Sequence, residues 1–294
     1  VGGVEKMTDR WDKIRDDLML LEDPWSYYAG CTPEANHELM LREYIKKHKL
    51  SDKALEKFNE ALAYIAVKNH HYATKNEYAQ YKTEISVDKV LKERAKAHKP
   101  LGLYDFAPVS DGATALILTN SEIAMTRSST PVYVESSSSA TDYVTFPSRD
   151  CRTGFAAAKI AMKKALKIAN LLASDIQIAE LYDQSTLLEM IALEDLGFSQ
   201  RGKAWQNIYE SCKDGRGFYE LDGQKLFVNT NGGLKADGNP LGATGGAQIF
   251  ELVTQLQGKA GERQVKRDGE LRFGCALEFE GFGTKAYVHI LARD

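Results

Sequence analysis

The chain has 294 residues, 43% hydrophobic and 27% charged, the balance of an ordinary globular protein, which excludes disorder as its main state. Its 38 basic and 41 acidic residues leave a net charge of −3, so nothing global pulls it toward nucleic acid or an anionic membrane. No run approaches the roughly 20 apolar residues that span a bilayer. The four cysteines (Cys31, Cys151, Cys212 and Cys275) are far apart and read as reduced thiols of a cytoplasmic protein large enough to need no disulfide staples.

The opening VGGVEKMT lacks an initiator Met and lacks the basic-then-apolar layout of a signal peptide, which leaves a processed start or a fragment as the alternatives. Residues 33–49 mix Leu39, Leu41, Tyr44 and Ile45 with charges and read as helical. Ser51 is an N-cap for a helix carrying Leu55, Phe58, Leu62, Ile65 and Ala66, expected to end near His70. The polar, aromatic segment KNHHYATKNEYAQYK, residues 68–82, has no period and predicts a long ordered loop, followed by a short helix after Ser86. Nothing in this first region reads as a sheet core.

The texture changes at Pro100. The apolar run Ala113–Leu118 predicts a buried strand, and Pro131–Ser136 a second. A helix over 153–172, a strand over 176–181 and a helix over 187–196 that Gly197 ends come next. Then follow a strand over 226–229 and a helix within 242–258, and the tail reads as two antiparallel strands around a glycine-containing turn. Strands alternating with helices predict an α/β protein with a helix-covered sheet.

Three segments could carry chemistry. NTNGGLKADGNPLGATGGAQIFE, residues 229–251, holds six glycines and runs into a helix start. Such a segment serves either as a tightly packed loop or as one whose backbone approaches a ligand; it is neither a dinucleotide fingerprint nor a Walker sequence. AELYDQSTLLE, residues 179–189, leads from a strand through Tyr182 and Asp183 into a helix, the usual ligand position at a strand's carboxyl end. Asp183 with Ser185 or Thr186 serves equally as a helix cap. Cys275 in FGCALEFEGFG has no adjacent base, and a lone cysteine there is usually a core residue. The six histidines and four cysteines show no metal-ligand spacing, and no histidine lies between residues 99 and 288.

Taken in order, VGGVEKMT, the 68–82 segment, PVSDGATALIL, AELYDQST and the glycine-rich stretch resemble the thiolase superfamily, and the sterol-carrier-protein-type and archaeal thiolases in particular. The resemblance implies a thiolase-like α/β fold: mixed sheets covered by helices, with an inserted, mostly helical loop domain. Residues 1–98 would then be loop domain and the tail of a shortened first half, 99–127 the last strands of that half, and 128–294 the C-terminal half. It also implies that about a hundred N-terminal residues with the acyl-accepting cysteine lie outside the chain, on a longer protein or a separate N-terminal polypeptide.

The same resemblance assigns site residues. The histidine of the family's glycine-rich loop falls on Asn239, and the histidine and cysteine of the strand-to-helix motif on Tyr182 and Gln184. The C-terminal catalytic cysteine falls loosely on Cys275. An amide donates hydrogen bonds but is no base near neutrality, and a phenol ordinarily ionises near pH 10. The expected activity is therefore an altered acyltransferase-like carbon–carbon bond formation or cleavage on acyl-CoA. The alternatives are a thiolase-like aldolase using Tyr182, a non-catalytic acyl-CoA-binding or scaffolding subunit, and a relic without function. Coenzyme A enters as a thioester substrate or ligand, not as a covalently bound cofactor. Lys68, His71, Lys75 and Lys82 are expected at its phosphates, unless they form only a solvated basic face, and Gly232, Gly233 and Ala243 along its binding loop. Implied partners are further copies in a dimer or tetramer and a small zinc-ribbon/OB-fold protein, with no metal, membrane or nucleic acid.

Overall fold

The computed structural model describes residues 1–212 and 217–293. Two sheets organise the chain. The smaller pairs β1 (Gly2–Lys6) antiparallel with β2 (Asp111–Ala115), Gly2 opposite Ala115. The strand expected from the 113–118 run is therefore present but shifted, and its apolar end is not buried. Ile117 is 96% and Leu118 65% exposed, because both lie beyond β2 with nothing packed over them.

Between β1 and β2 the chain is helical. Short helices α1 (Ile14–Met19) and α2 (Pro24–Tyr28) lead to α3 (Pro33–His48), where Thr32 caps the first turn and Lys49 closes the last in the left-handed conformation. In α4 (Asp52–Ala73) the Ser51 hydroxyl accepts from the Ala54 N–H, as its position in the sequence predicts. This helix runs beyond His70, so residues 68–73 are helix and only the remainder of the 68–82 segment is irregular. Lys68, Asn69, His70 and Tyr72 are polar or aromatic, yet they are buried against other parts of the molecule, which is why composition reads them as loop. The Ser86 cap starts α5 (Val87–Ala97).

After β2 and α6 (Ser121–Arg127) the second sheet begins with β3 (Val132–Thr141). α7 (Ala156–Ala169), β4 (Ile178–Glu180), α8 (Thr186–Asp195) and α9 (Ala204–Cys212) follow. β5 (Tyr219–Leu221), β6 (Gln224–Val228), α10 (Gly233–Ala236), α11 (Thr244–Leu256), β7 (Phe273–Glu280) and β8 (Lys285–Arg293) complete it. The strand order is β3-β8-β7-β4-β6-β5, with β4 parallel to both β7 and β6 and the other pairs antiparallel.

Helices cover both faces. Cys275, Leu277 and Phe279 of β7 join the large core under α7 and α8, while Ala276 joins Leu252 and Leu256 of α11 on the other face, the alternation a strand imposes. All ten residues of α8 are buried, so it is the central helix of this half. Among the described residues no helix is long and apolar enough to cross a membrane.

Candidate active site

The parallel strands β4, β6 and β7 end on the same side, and the loops that leave those ends converge, the usual ligand position of an α/β sheet. Tyr182 stands two residues past β4 and is 4% exposed. Asn239 comes from the glycine-rich loop between β6 and α11. Its Nδ2 donates to the Tyr182 hydroxyl at 3.3 Å, and its Oδ1 accepts from the Thr244 hydroxyl at 2.9 Å. Asn239 also donates its backbone N–H to Ser110 Oγ at 3.2 Å.

A third segment stitches the two loops together. Phe106 bridges to Ser185 and Val109 to Asn239, and the Ala107 N–H donates to the Gln184 carbonyl at 2.9 Å. Residues 105–110 thus lie between the Tyr182 loop and the Asn239 loop and fix their spacing. Gly238 takes φ +126 where a side chain would collide with Gln80 and Ser110, so this crossing needs glycine.

The electrostatics are those of a dry site. Burial pushes the Tyr182 phenol above its ordinary range, the negative charge of Glu278 pushes it further, and the bond from Asn239 opposes both. Asp183 and Glu22 add smaller upward contributions. Glu22 itself is raised to about 7 by burial, against the pull of Arg149. His37, on α3, reaches Ser185 Oγ with its Nδ1 at 2.7 Å, and burial pushes it down to about 3, so the ring is neutral.

Behind the site lies a polar core. Lys68 Nζ donates to Asn69 Oδ1 at 2.5 Å and to the Val228 carbonyl at 2.6 Å, and stands 3.2 Å from Glu189 Oε1. Asn69 donates to Asp183 at 2.7 Å and to Glu189 at 2.9 Å, while Asn229 and Tyr219 donate to the same Glu189 carboxylate. Asp183 accepts the Leu234 and Lys235 backbone N–H groups at 2.6 and 3.3 Å and so anchors the start of α10 to the Tyr182 loop.

The residues expected from the sequence fall into three groups. Tyr182 and Asn239 are brought together. Gly232, Gly233 and Ala243 belong to the same loop but serve its packing. A Cβ on Gly232 would meet Ala73, one on Gly233 the Asp183 carboxylate, and the Ala243 carbonyl accepts from Thr114 at 3.2 Å. Cys275 and the basic residues stand apart from the pair. The Cys275 thiol is fully buried 4.0 Å from Met162 Sδ, and burial pushes it up to about 12, surroundings unlike those that activate a thiol. Lys68 points its ammonium inward, onto Asn69, the Val228 carbonyl and Glu189. His71 and Lys75 do share a surface cluster, with His71 Nδ1 2.8 Å from Glu84 and Lys75 Nζ 3.1 Å from His71 Nε2, while exposed Lys82 donates to the Glu77 carbonyl. Glu22, His37 and Glu278 were not legible as site residues; only long-range packing brings them here.

A mixed sheet with helices on both faces, and a buried phenol–amide pair at its parallel strand ends, defines an α/β protein with a strand-end site. Residues 138–293 match the family described as thiolase C-terminal domain-like. The chain is 35% identical over 291 residues to an acetyl-CoA acetyltransferase of Methanothermobacter thermautotrophicus, a match covering 99% of this chain and 71% of that one. It is 38% identical over 211 residues to sterol carrier protein 2 of Gallus gallus, covering 70% and 37%. Its fold matches the solved structure of an Ltp2-ChsH2(DUF35) aldolase with a TM-score of 0.74 and 25% identity, over 90% of this chain and 64% of that one. A monomeric SCP2-thiolase like protein type 1 from Mycobacterium smegmatis matches with a TM-score of 0.64 at 20% identity, over 87% and 51%. The chain belongs to the thiolase family and has its fold.

Proposed function

We propose that this chain carries the C-terminal catalytic half of an enzyme that makes or breaks a carbon–carbon bond in an acyl-CoA thioester, in an aldol-type variant. One observation supports this reading above the rest: the Asn239 amide, locked by Thr244, donates to the Tyr182 phenol, and both residues are buried. Neither group is a base near neutrality, so the pair suits holding an oxygen on which negative charge develops rather than activating a thiol. A β-hydroxyacyl thioester presents such oxygens at its carbonyl and at its hydroxyl. The relative that is an acetyl-CoA acetyltransferase supports the thioester, and the structural neighbour that is an aldolase supports the cleavage direction.

We further propose that it works in an assembly. Val4, Ile117, Leu118 and Met125 leave apolar surface uncovered around β1–β2, which favours a protein partner over solvent. A further copy, a separate N-terminal polypeptide or a DUF35-type protein, such as the one in the aldolase complex, would each supply it.

The test is a substrate panel on the natively purified protein together with whatever co-purifies. β-Hydroxyacyl-CoA should release a free carbonyl compound and a shorter acyl-CoA. Thiolysis of acetoacetyl-CoA with uptake of an acetyl group would instead point to ordinary thiolase chemistry. Binding of CoA without any turnover would reduce the chain to a binding subunit.

A further inference from the structure

Glu278 is a carboxyl near the site to which the reading above gives no chemical step. It belongs to the row Gly274, Ala276, Glu278 of β7 that faces α11. A Cβ on Gly274 would meet Leu252 at 3.1 Å, and at the other end of the row Glu278 Oε2 lies 3.8 Å from where a Gly245 Cβ would be. Gly245 is in the first turn of α11, next to Thr244, the residue that locks Asn239.

The carboxyl is placed at a cost. Its Oε2 is sealed from solvent and has no hydrogen-bond partner, and so is Oε1 of Gln248, one turn along the same helix. Gln248 spends its Nε2 on the Leu277 carbonyl at 3.0 Å and offers Glu278 nothing. The groups around it are occupied elsewhere. Tyr287, across from it on β8, donates to Glu280, and Glu280 pairs with Lys285 at 2.9 Å. Glu180, one strand over on β4, accepts from Thr230. Among the described residues no cation pairs with Glu278. When ionised, Glu278 pushes the Tyr182 phenol upward. Glu278 is half-buried, with one carboxyl oxygen sealed away without a partner; such an oxygen lowers stability, and carboxyls of this kind cluster where a protein needs a proton held in reserve.

We infer that Glu278 is the proton carrier of this site, a catalytic carboxyl that faces the reacting atoms beside the Tyr182–Asn239 pair. The inference rests on the acyl-CoA carbon–carbon chemistry proposed above. In cleavage, the β-hydroxyl gives its proton to the Glu278 carboxylate and its O–H electron pair becomes the new C=O bond. The Cα–Cβ bond breaks, and its electron pair passes to the thioester as an enolate whose oxygen the Tyr182–Asn239 pair receives. Glu278 then returns the proton to Cα, which leaves a carbonyl compound, a shortened acyl-CoA and an unchanged enzyme. Burial holds this carboxyl well above the ordinary carboxylate range, so its ionised fraction, and with it cleavage, grows as pH rises.

Glu278→Gln in the natively purified protein tests the assignment, with steady-state cleavage of a β-hydroxyacyl-CoA measured across pH. The expected result is a kcat about 10²- to 10⁴-fold lower, a KM within a few-fold, and loss of the rising limb of the pH profile. Thermal melting should show the variant at least as stable as wild type, since an amide in place of an unpaired carboxyl relieves a penalty; a merely structural role predicts the reverse. Glu278→Asp, which keeps the acid one methylene short, should lower kcat yet retain the limb. Wild-type turnover with an unimpaired Glu278→Gln would overturn the inference and leave the proposed function standing. A wild-type protein inert toward every CoA thioester would overturn both.

Discussion

The Asn239 amide stands between two hydroxyls, donating to Tyr182 at 3.3 Å and accepting from Thr244 at 2.9 Å. The Thr244 bond fixes which end of the amide faces the phenol, so the N–H edge is turned toward the site. Asn239→Ala removes that donor while leaving the loop's backbone bond to Ser110 in place. Turnover should fall about 10²- to 10³-fold, the usual cost of one oxyanion donor. Circular dichroism and melting temperature should stay close to wild type, which separates a lost donor from a lost loop.

The polar core behind the site makes a stability prediction. Glu189 is held by Lys68, Asn69, Asn229 and Tyr219, all buried. Lys68→Met leaves that carboxylate without its cation, a loss of about 3–5 kcal/mol for a broken buried pair. The double variant Lys68→Met/Glu189→Met should lose less than the sum of the two single variants, because neither charge is left stranded. Urea denaturation of the four proteins measures this.

Thiol chemistry separates core cysteines from surface ones. Cys275 and Cys212 are buried, with burial pushing both up to about 12, whereas Cys31 and Cys151 are partly exposed. A brief pulse of iodoacetamide at neutral pH should alkylate Cys31 and Cys151 first, read by peptide mass spectrometry. Cys275→Ala should leave turnover within a few-fold of wild type. A large loss of kcat would return Cys275 to the catalytic machinery.

How far the sequence could be read follows from the range of each interaction. The Ser51 and Ser86 caps are local and were legible, as were β3, α7, β4, α8, β6, α11, β7 and β8, whereas α9, β5 and α10 were not read from the sequence. The β1–β2 pairing joins residues more than a hundred positions apart and left no local signal. Only the last residues of α4, 71–73, were missed, because the polar 68–82 segment they belong to read as loop. Tyr182 and Asn239, whose side chains meet in the structure, were picked out by resemblance. Glu278 and Glu22 matched no motif: both are half-buried, and among the described residues no cation pairs with Glu278.

Glu22 gives a pH prediction of known sign. Its folded value of about 7 lies above the ordinary 4.5, so the folded state holds a proton that the unfolded state releases. Its contribution is fully present below about pH 4.5 and is lost as pH rises through 7. Asp237, raised to about 7, and Asp195, raised to about 6, act in the same direction. His37 and His70, pushed down to about 3 and about 4, oppose them by weakening the fold below pH 6.5. Glu22→Gln should therefore gain stability relative to wild type as pH rises from 4.5 to 7, which paired denaturation curves would show as a widening gap.

The central claim is that the Tyr182 phenol, held by Asn239, acts on a CoA thioester as its carbon–carbon bond changes. The most direct measurement compares wild type with Tyr182→Phe on a β-hydroxyacyl-CoA, following carbonyl release and, separately, CoA binding by calorimetry. The account predicts a loss of cleavage of at least about 10²-fold with binding nearly unchanged. Equal cleavage by the two proteins would contradict it.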